Sequence, residues 1–192
     1  MYNGIMRQIR SFIAIQISQE MRLVLAGASR ELAAQMPGSA VRWVKPDRMH
    51  LTLKFLGDTD VDKISAIQIA MDGAVAEHRP FSLSLGELGC FPNRSRPRVI
   101  WAGLIGDIPQ LNALQGRLDA AMSQLGWRIE DRPFQAHLTL GRVKDSRKLK
   151  GIEWSADLKS VVLTVRSVDF IESQLRPGGP VYTVRHSSKL AH

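Results

Sequence analysis

Residues 50–53, His50-Leu51-Thr52-Leu53, recur as residues 137–140, His137-Leu138-Thr139-Leu140, in a chain of 192 residues that holds five histidines. Each copy lies in a segment whose composition and alternation read as a β-strand, 49–56 and 135–143. Side chains alternate across a strand, so residues two apart share a face about 6.6 Å apart along the chain. Each copy therefore presents His and Thr on one face and two leucines on the other. The leucine faces ask for a core, and a His/Thr face made twice marks a site.

Outward from the repeats, strands and helices alternate. Residues 10–17 alternate as a first strand, Ser18 fits an N-cap, and 20–36 carry apolar residues at helical spacing up to Pro37-Gly38. Residues 41–45 read as short and extended. After the first repeat, Gly57-Asp58 is expected to turn the chain into a helix over 61–77, with Ile64, Ile67, Met71 and Val75 along one stripe. Residues 81–88 and 99–105 read as a hairpin around a Pro-rich turn at 92–97, and 108–125 as a helix closed by Gly126. Beyond the second repeat, 161–171 and 181–186 read as strands around Pro177-Gly178-Gly179-Pro180. A helix followed by a His-x-Thr-x strand thus occurs in both halves. No long linker divides them, so 1–192 is expected to be a single domain of two lobes, joined near 91–108.

A chain of this size can bury a real core. No apolar run approaches the eighteen residues of a membrane span. The apolar stretch 11–17 reads as a strand and not as a signal peptide, and the residues before Arg7 as a ragged start. The single cysteine, Cys90, excludes an intramolecular disulfide and a thiolate-built zinc site, and is expected to be a small buried hydrophobe. These features favour the cytoplasm. The net charge of +8 and a pI near 10.1 point to an anionic partner. Cations gather at both repeats: Lys45, Arg48 and Lys54 flank the first, and Arg142 and Lys144 follow the second. Apart from Arg142, each reads singly as a solvated surface charge, as do Arg94, Arg96 and Arg98 at the Pro-rich turn.

Were the halves related by an approximate two-fold axis, His50 and His137 would flank a common point. Displacement at a phosphodiester needs one group to take a proton from the attacking oxygen and another to give one to the leaving oxygen on the far side of phosphorus. Two imidazoles, each with an ordinary pKa near 6.5, can hold one neutral and one protonated form without a metal. Thr52 and Thr139 place hydroxyl donors beside the histidines, where they could meet non-bridging phosphate oxygens. Arg142, five residues after His137, does not share that histidine's face in a regular strand; a bend at Gly141, or its own length, would bring it to the phosphate. Zinc would need further ligands, which His78, His186 and His192 do not supply in sequence, so no metal site is expected. No Gly-x-Ser-x-Gly elbow, Walker loop or dinucleotide loop is present.

These motifs, with Arg10-Ser11-Phe12-Ile13-Ala14-Ile15, the run His50-Leu51-Thr52-Leu53-Lys54-Phe55-Leu56-Gly57, residues 97–103 with Trp101, the run from His137 to Lys144, and Gly179-Pro180-Val181-Tyr182, resemble the two-histidine (2H) phosphoesterase superfamily. Within it the chain is similar to the RNA 2′,3′-cyclic phosphodiesterases, also called 2′-5′ RNA ligases. The resemblance implies an α+β, bilobal fold: two pseudo-symmetric lobes, each with an antiparallel sheet and flanking helices, about a central cleft. It implies hydrolysis of a terminal RNA 2′,3′-cyclic phosphate to a 2′-phosphate, with no cofactor, by a monomer acting on RNA ends such as tRNA fragments. His50 would give the proton to the leaving oxygen, His137 would activate water, and Thr52, Thr139 and Arg142 would hold the phosphate. The reverse sense would join RNA ends through a 2′-5′ linkage. Ala136 stands where such proteins often have proline. Phe55 could stack on a base, but is expected in the core. Two alternatives stay open: a phosphodiesterase of another cyclic nucleotide or of 2′-5′ oligonucleotides, and a non-catalytic RNA-binding module.

Overall fold

Residues 7–191 are described by a computed structural model; the expected ragged start before Arg7 lies outside the described residues, as does His192. Runs of alternating apolar residues form the strands β1 (Gln8–Gln16), β2 (Val41–Trp43), β3 (His50–Asp60), β4 (Phe81–Phe91), β5 (Val99–Gly106), β6 (His137–Val143), β7 (Val162–Val165), β8 (Ser167–Gln174) and β9 (Val181–Lys189). They pair antiparallel in the order β7-β4-β5-β6-β3-β1-β8-β9, with the short β2 also on β6. Helices α1 (Gln19–Ala34), α2 (Ile64–Val75) and α3 (Ile108–Gln124) carry their buried stripes toward this sheet's core. Ser18 caps α1 by accepting the Met21 N–H at 3.2 Å, as its position before the apolar periodicity implies. No described helix is long and apolar enough to cross a membrane.

The fold is α+β and two-lobed, but the lobes are not the two halves of the chain. The middle of the sequence supplies β4, β5, β6 and β7, while both ends supply β1, β3, β8 and β9. The two four-stranded halves meet where β3 pairs with β6, at Leu51 opposite Leu138. The expected joint near 91–108 lies instead inside one lobe, because β4 and β5 pair closely from Phe91 opposite Val99 onward. The stretch 161–171 is likewise two strands and not one. It breaks at Arg166, so that β7 completes one lobe on β4 and β8 enters the other on β1.

Gly57-Asp58 does not turn the chain. β3 runs on to Asp60, and the pairing slips between Phe12 opposite Phe55 and Ser11 opposite Gly57. Gly57 takes the irregularity with φ of +68°, a left-handed conformation that glycine adopts without a Cβ penalty.

Candidate active site

The joint between the lobes is also where the repeats lie side by side. Leu51 and Leu138 face each other fully buried. Extending that antiparallel register by one residue each way sets His50 opposite Thr139 and Thr52 opposite His137. All four half-buried polar side chains then share the face opposite the leucines. His50 and His137 are diagonal neighbours, a spacing of about 7–8 Å between backbones. That gap suits one tetrahedral phosphate between two imidazoles. The structure thus joins the four motif residues through a local two-fold axis at the leucine pair.

Both rings are oriented in the same way. The His50 Nδ1–H donates to the Arg48 carbonyl at 2.8 Å, and the His137 Nδ1–H donates to the Gln135 carbonyl at 2.7 Å. A carbonyl only accepts, so Nδ1 keeps its hydrogen in either charge state and Nε2 is the nitrogen that takes and gives a proton. Aromatic rings hold each imidazole from the side. Phe12 stacks on His50 with centroids 4.7 Å apart and planes 23° from parallel, and Tyr182 meets it edge-on at 5.3 Å. Phe91 meets His137 edge-on at 5.0 Å, with Trp101 at 6.3 Å. Burial pushes the His50 pKa down to about 4, against the rise from its Arg48 bond, and the Arg22 and Arg142 charges push the same way. Burial also lowers His137, with Arg142 again contributing. In the free chain both imidazoles are neutral at pH 7.

Arg142 and Phe55 reach this face by the same device. Along β1, Ala14 pairs with Thr52 and Ile13 with Lys54, so Leu53 is an extra residue. Along β5, Trp101 pairs with Thr139 and Ile100 with Gly141, so Leu140 is an extra residue. Each bulge falls three positions after the histidine. It turns two consecutive residues inward, Leu53 with Lys54 and Leu140 with Gly141, and brings the fifth residue back to the His/Thr face. Arg142 therefore shares the face that strict alternation denies it, and its charge is felt by His50, His137 and Tyr182 alike. Gly141 matters here for another reason: a Cβ would sit 2.7 Å from Val41 Cγ1 and 3.0 Å from Trp43, the strand β2 that covers it.

Phe55 is not in the core. It is 62% exposed on the histidine face, 6.3 Å from Phe12. The inward position belongs to Lys54, which the sequence suggested as a solvated cation. Its ammonium is buried, ion-paired with Asp119 of α3 and donating to the Arg128 carbonyl at 2.7 Å. Cys90 is half-buried against the core rather than fully enclosed, with its thiol pKa raised by burial.

Phe12, Phe91, Trp101 and Tyr182 are the aromatic neighbours of the two imidazoles, and sequence reasoning gave them no role at the site. They come from four strands; Phe12, Trp101 and Tyr182 lie in segments that carry the family resemblance, whereas Phe91 had no signal beyond an aromatic beside a predicted strand. Among the described residues no three His, Cys, Asp or Glu side chains gather as a metal site. His186 lies away from the repeats, with Nε2 at 2.8 Å from Asp72.

With this geometry in view, the relatives are informative. Residues 15–101 and 106–182 match the LigT-like phosphoesterase family. The chain is 32% identical over 180 residues to an RNA 2′,3′-cyclic phosphodiesterase of Methanothermobacter thermautotrophicus, covering 92% of this chain and 96% of that one. It is 33% identical over 178 residues to an RNA 2′,3′-cyclic phosphodiesterase of Thermotoga maritima, covering 92% of each. Among solved structures, a Thermus thermophilus protein has a TM-score of 0.79 at 29% identity, over 95% of this chain and 98% of that one. E. coli LigT complexed with 3′-AMP has a TM-score of 0.74 at 26% identity, over 97% and 100%.

Proposed function

The chain belongs to the LigT-like phosphoesterase family, and from that membership we propose that it hydrolyses the 2′,3′-cyclic phosphate at an RNA end to a 2′-phosphomonoester. The observation that carries the reading is the matched pair of imidazoles. Both are diagonal across the β3–β6 pair, and both have Nδ1 bound to the carbonyl two residues back, so that two Nε2 atoms are available to one phosphate.

In this mechanism Nε2 of His137 takes a proton from water as the oxygen attacks phosphorus. Nε2 of protonated His50 gives one to the departing O3′, and the O2′–P bond is kept. The division of labour between the two histidines rests on the family resemblance, since their settings are nearly symmetric. Thr52, Thr139 and the Arg142 guanidinium receive the charge on the non-bridging oxygens. Phe55, open on the same face, offers its ring to the base of the terminal nucleotide. A 5′-hydroxyl in place of water would join two RNA ends through a 2′-5′ linkage by the same proton transfers. The reading includes a cytoplasmic monomer whose RNA partners include tRNA fragments and whose proton transfers use no cofactor.

The test is an oligonucleotide ending in a 2′,3′-cyclic phosphate, incubated with the protein in the presence of a chelator. Loss of the cyclic end, and its absence in His50→Ala and His137→Ala, is the expected result. Full activity in either variant, or abolition by chelator, overturns the mechanism. Binding without turnover favours an RNA-binding module, and preference for small cyclic nucleotides over RNA overturns the substrate.

A further inference from the structure

The strand β2 is three residues long, and both of its ends face the core. Val41 and Trp43 close over Gly141, and the Val44 N–H donates to the Leu140 carbonyl at 2.8 Å. That packing fixes the register, so the residue between them, Arg42, points outward. It stands directly opposite Arg142 of β6, and two exposed guanidiniums thus share the histidine face from neighbouring strands. Such strands lie about 4.8 Å apart, and like charges directly opposite one another destabilise a sheet. Lys144 brings a further exposed cation to the same face, two residues beyond Arg142, where its N–H continues the ladder to the Ala40 carbonyl at 2.7 Å.

Among the described residues no carboxylate lies within ion-pair reach of Arg42, Arg142 or Lys144. Asp145, the nearest acid in sequence, is taken by Arg147 at 2.9 Å. Two other arginines beside His50 are engaged by the protein itself: Arg22 donates to Gln16 Oε1 at 2.9 Å, and Arg48 to the Gly178 carbonyl at 3.1 Å. A like-charge pair that core packing holds on the catalytic face calls for an anion from outside. One phosphate does not account for it. The charge of Arg142 reaches both histidines, whereas Arg42 and Lys144 are not among the charges that shift either ring. They stand one step further along the face than the phosphate between the imidazoles.

We propose that Arg42, with Lys144 beside it, binds the internucleotide phosphate next to the cyclic end of an RNA strand, as a second anion site adjoining the catalytic one. The proposal rests on the phosphodiesterase reading and deepens it. The second site tells the end of a chain from a mononucleotide by charge, without reading a base. It holds whichever histidine gives the proton.

The experiment compares hydrolysis of three substrates: a nucleoside 2′,3′-cyclic phosphate, a dinucleotide with the same cyclic end, and that dinucleotide with an uncharged methylphosphonate linkage. Arg42→Gln, at an exposed position, should raise KM for the charged dinucleotide about five- to tenfold at unchanged kcat, as loss of one charge-assisted contact implies. The mononucleotide and the methylphosphonate should stay within about twofold of the unaltered protein. The salt dependence of log kcat/KM for the charged dinucleotide should lose about 0.7 in slope. Lys144→Gln should repeat this pattern with a smaller change. Because the arginine pair is repulsive, Arg42→Gln should melt no lower than the unaltered protein. Equal KM values for the charged and uncharged dinucleotides in the unaltered protein would overturn the site. So would an Arg42→Gln variant that weakens all three substrates alike, or one that melts lower, which would make Arg42 a structural residue. Hydrolysis of none of the three by the unaltered protein would instead overturn the phosphodiesterase reading.

Discussion

His50 should be neutral until a phosphate arrives. Burial between Phe12 and Tyr182 takes its pKa from 6.5 to about 4, a penalty on the charged ring of about 3 kcal/mol. A phosphate anion about 4 Å from Nε2, at an effective dielectric near 20, returns about 4 kcal/mol. The gain exceeds the penalty, so the bound anion should bring the ring back to its ordinary range or above. The donor is then charged only when there is something to protonate. The assay is the ¹⁵N titration of the His50 ring by NMR, assigned with His50→Gln, in buffer and then with saturating inorganic phosphate. The free ring should titrate near 4 as the Nδ1–H tautomer, and phosphate should raise that midpoint by at least two pH units. A free midpoint at or above 6.5, or one that phosphate leaves in place, would refute the reasoning.

The same depressed pKa fixes a sign for stability. Between 6.5 and 4 the unfolded chain binds this proton more readily than the folded one, so stability falls as pH drops through that window, by up to about 3 kcal/mol. Urea unfolding at pH 7 and pH 4.5 should show that share of the loss missing from His50→Gln; an equal loss in both proteins argues against it. Arg142→Gln removes a charge that lowers both imidazoles, so both should titrate higher, while hydrolysis falls about 10²–10³-fold with the lost phosphate contact. Unchanged kcat/KM would place Arg142 outside the reaction. Asp119→Ala strands the buried Lys54 ammonium, at about 3–5 kcal/mol. That corresponds to a melting point lower by about 6–20 °C for a chain of this length. Joint Lys54→Met and Asp119→Leu should recover most of it, and a single-variant drop of a degree or two would contradict the buried pair. Gly89→Ala places a methyl within the ring of Trp101, costing about 1–3 kcal/mol as Trp101 moves; unaltered tryptophan fluorescence and stability would count against that contact.

Much of the local structure was legible from periodicity. Ser18 and the stripe Met21, Leu25 and Leu32 mark α1, while Leu111, Leu114, Leu118 and Met122 mark α3, because neighbours three and four apart share a helix face. The boundaries that failed did so where pairing partners decide the outcome. Gly57 looks like a turn in isolation, yet β1 continues beside it and holds it in strand. Residues 161–171 look like one strand, yet β4 claims the first part and β1 the second.

That His50 shares a strand face with Thr52, and His137 with Thr139, was determined by the sequence alone. The two-residue period of a strand puts each His with its Thr, and the leucines between them leave only one face for the core. Phe55, Arg142 and the aromatic seats of the imidazoles were decided by tertiary structure. A bulge exists only relative to the strand alongside, so the extra residues Leu53 and Leu140 become visible only when β1 and β5 are in place. The low pKa of His50 has the same origin: desolvation depends on Phe12 and Tyr182, which approach from strands far apart in the chain. The repeat announces two imidazoles on matching strand faces, and the packing around them sets how readily each takes a charge.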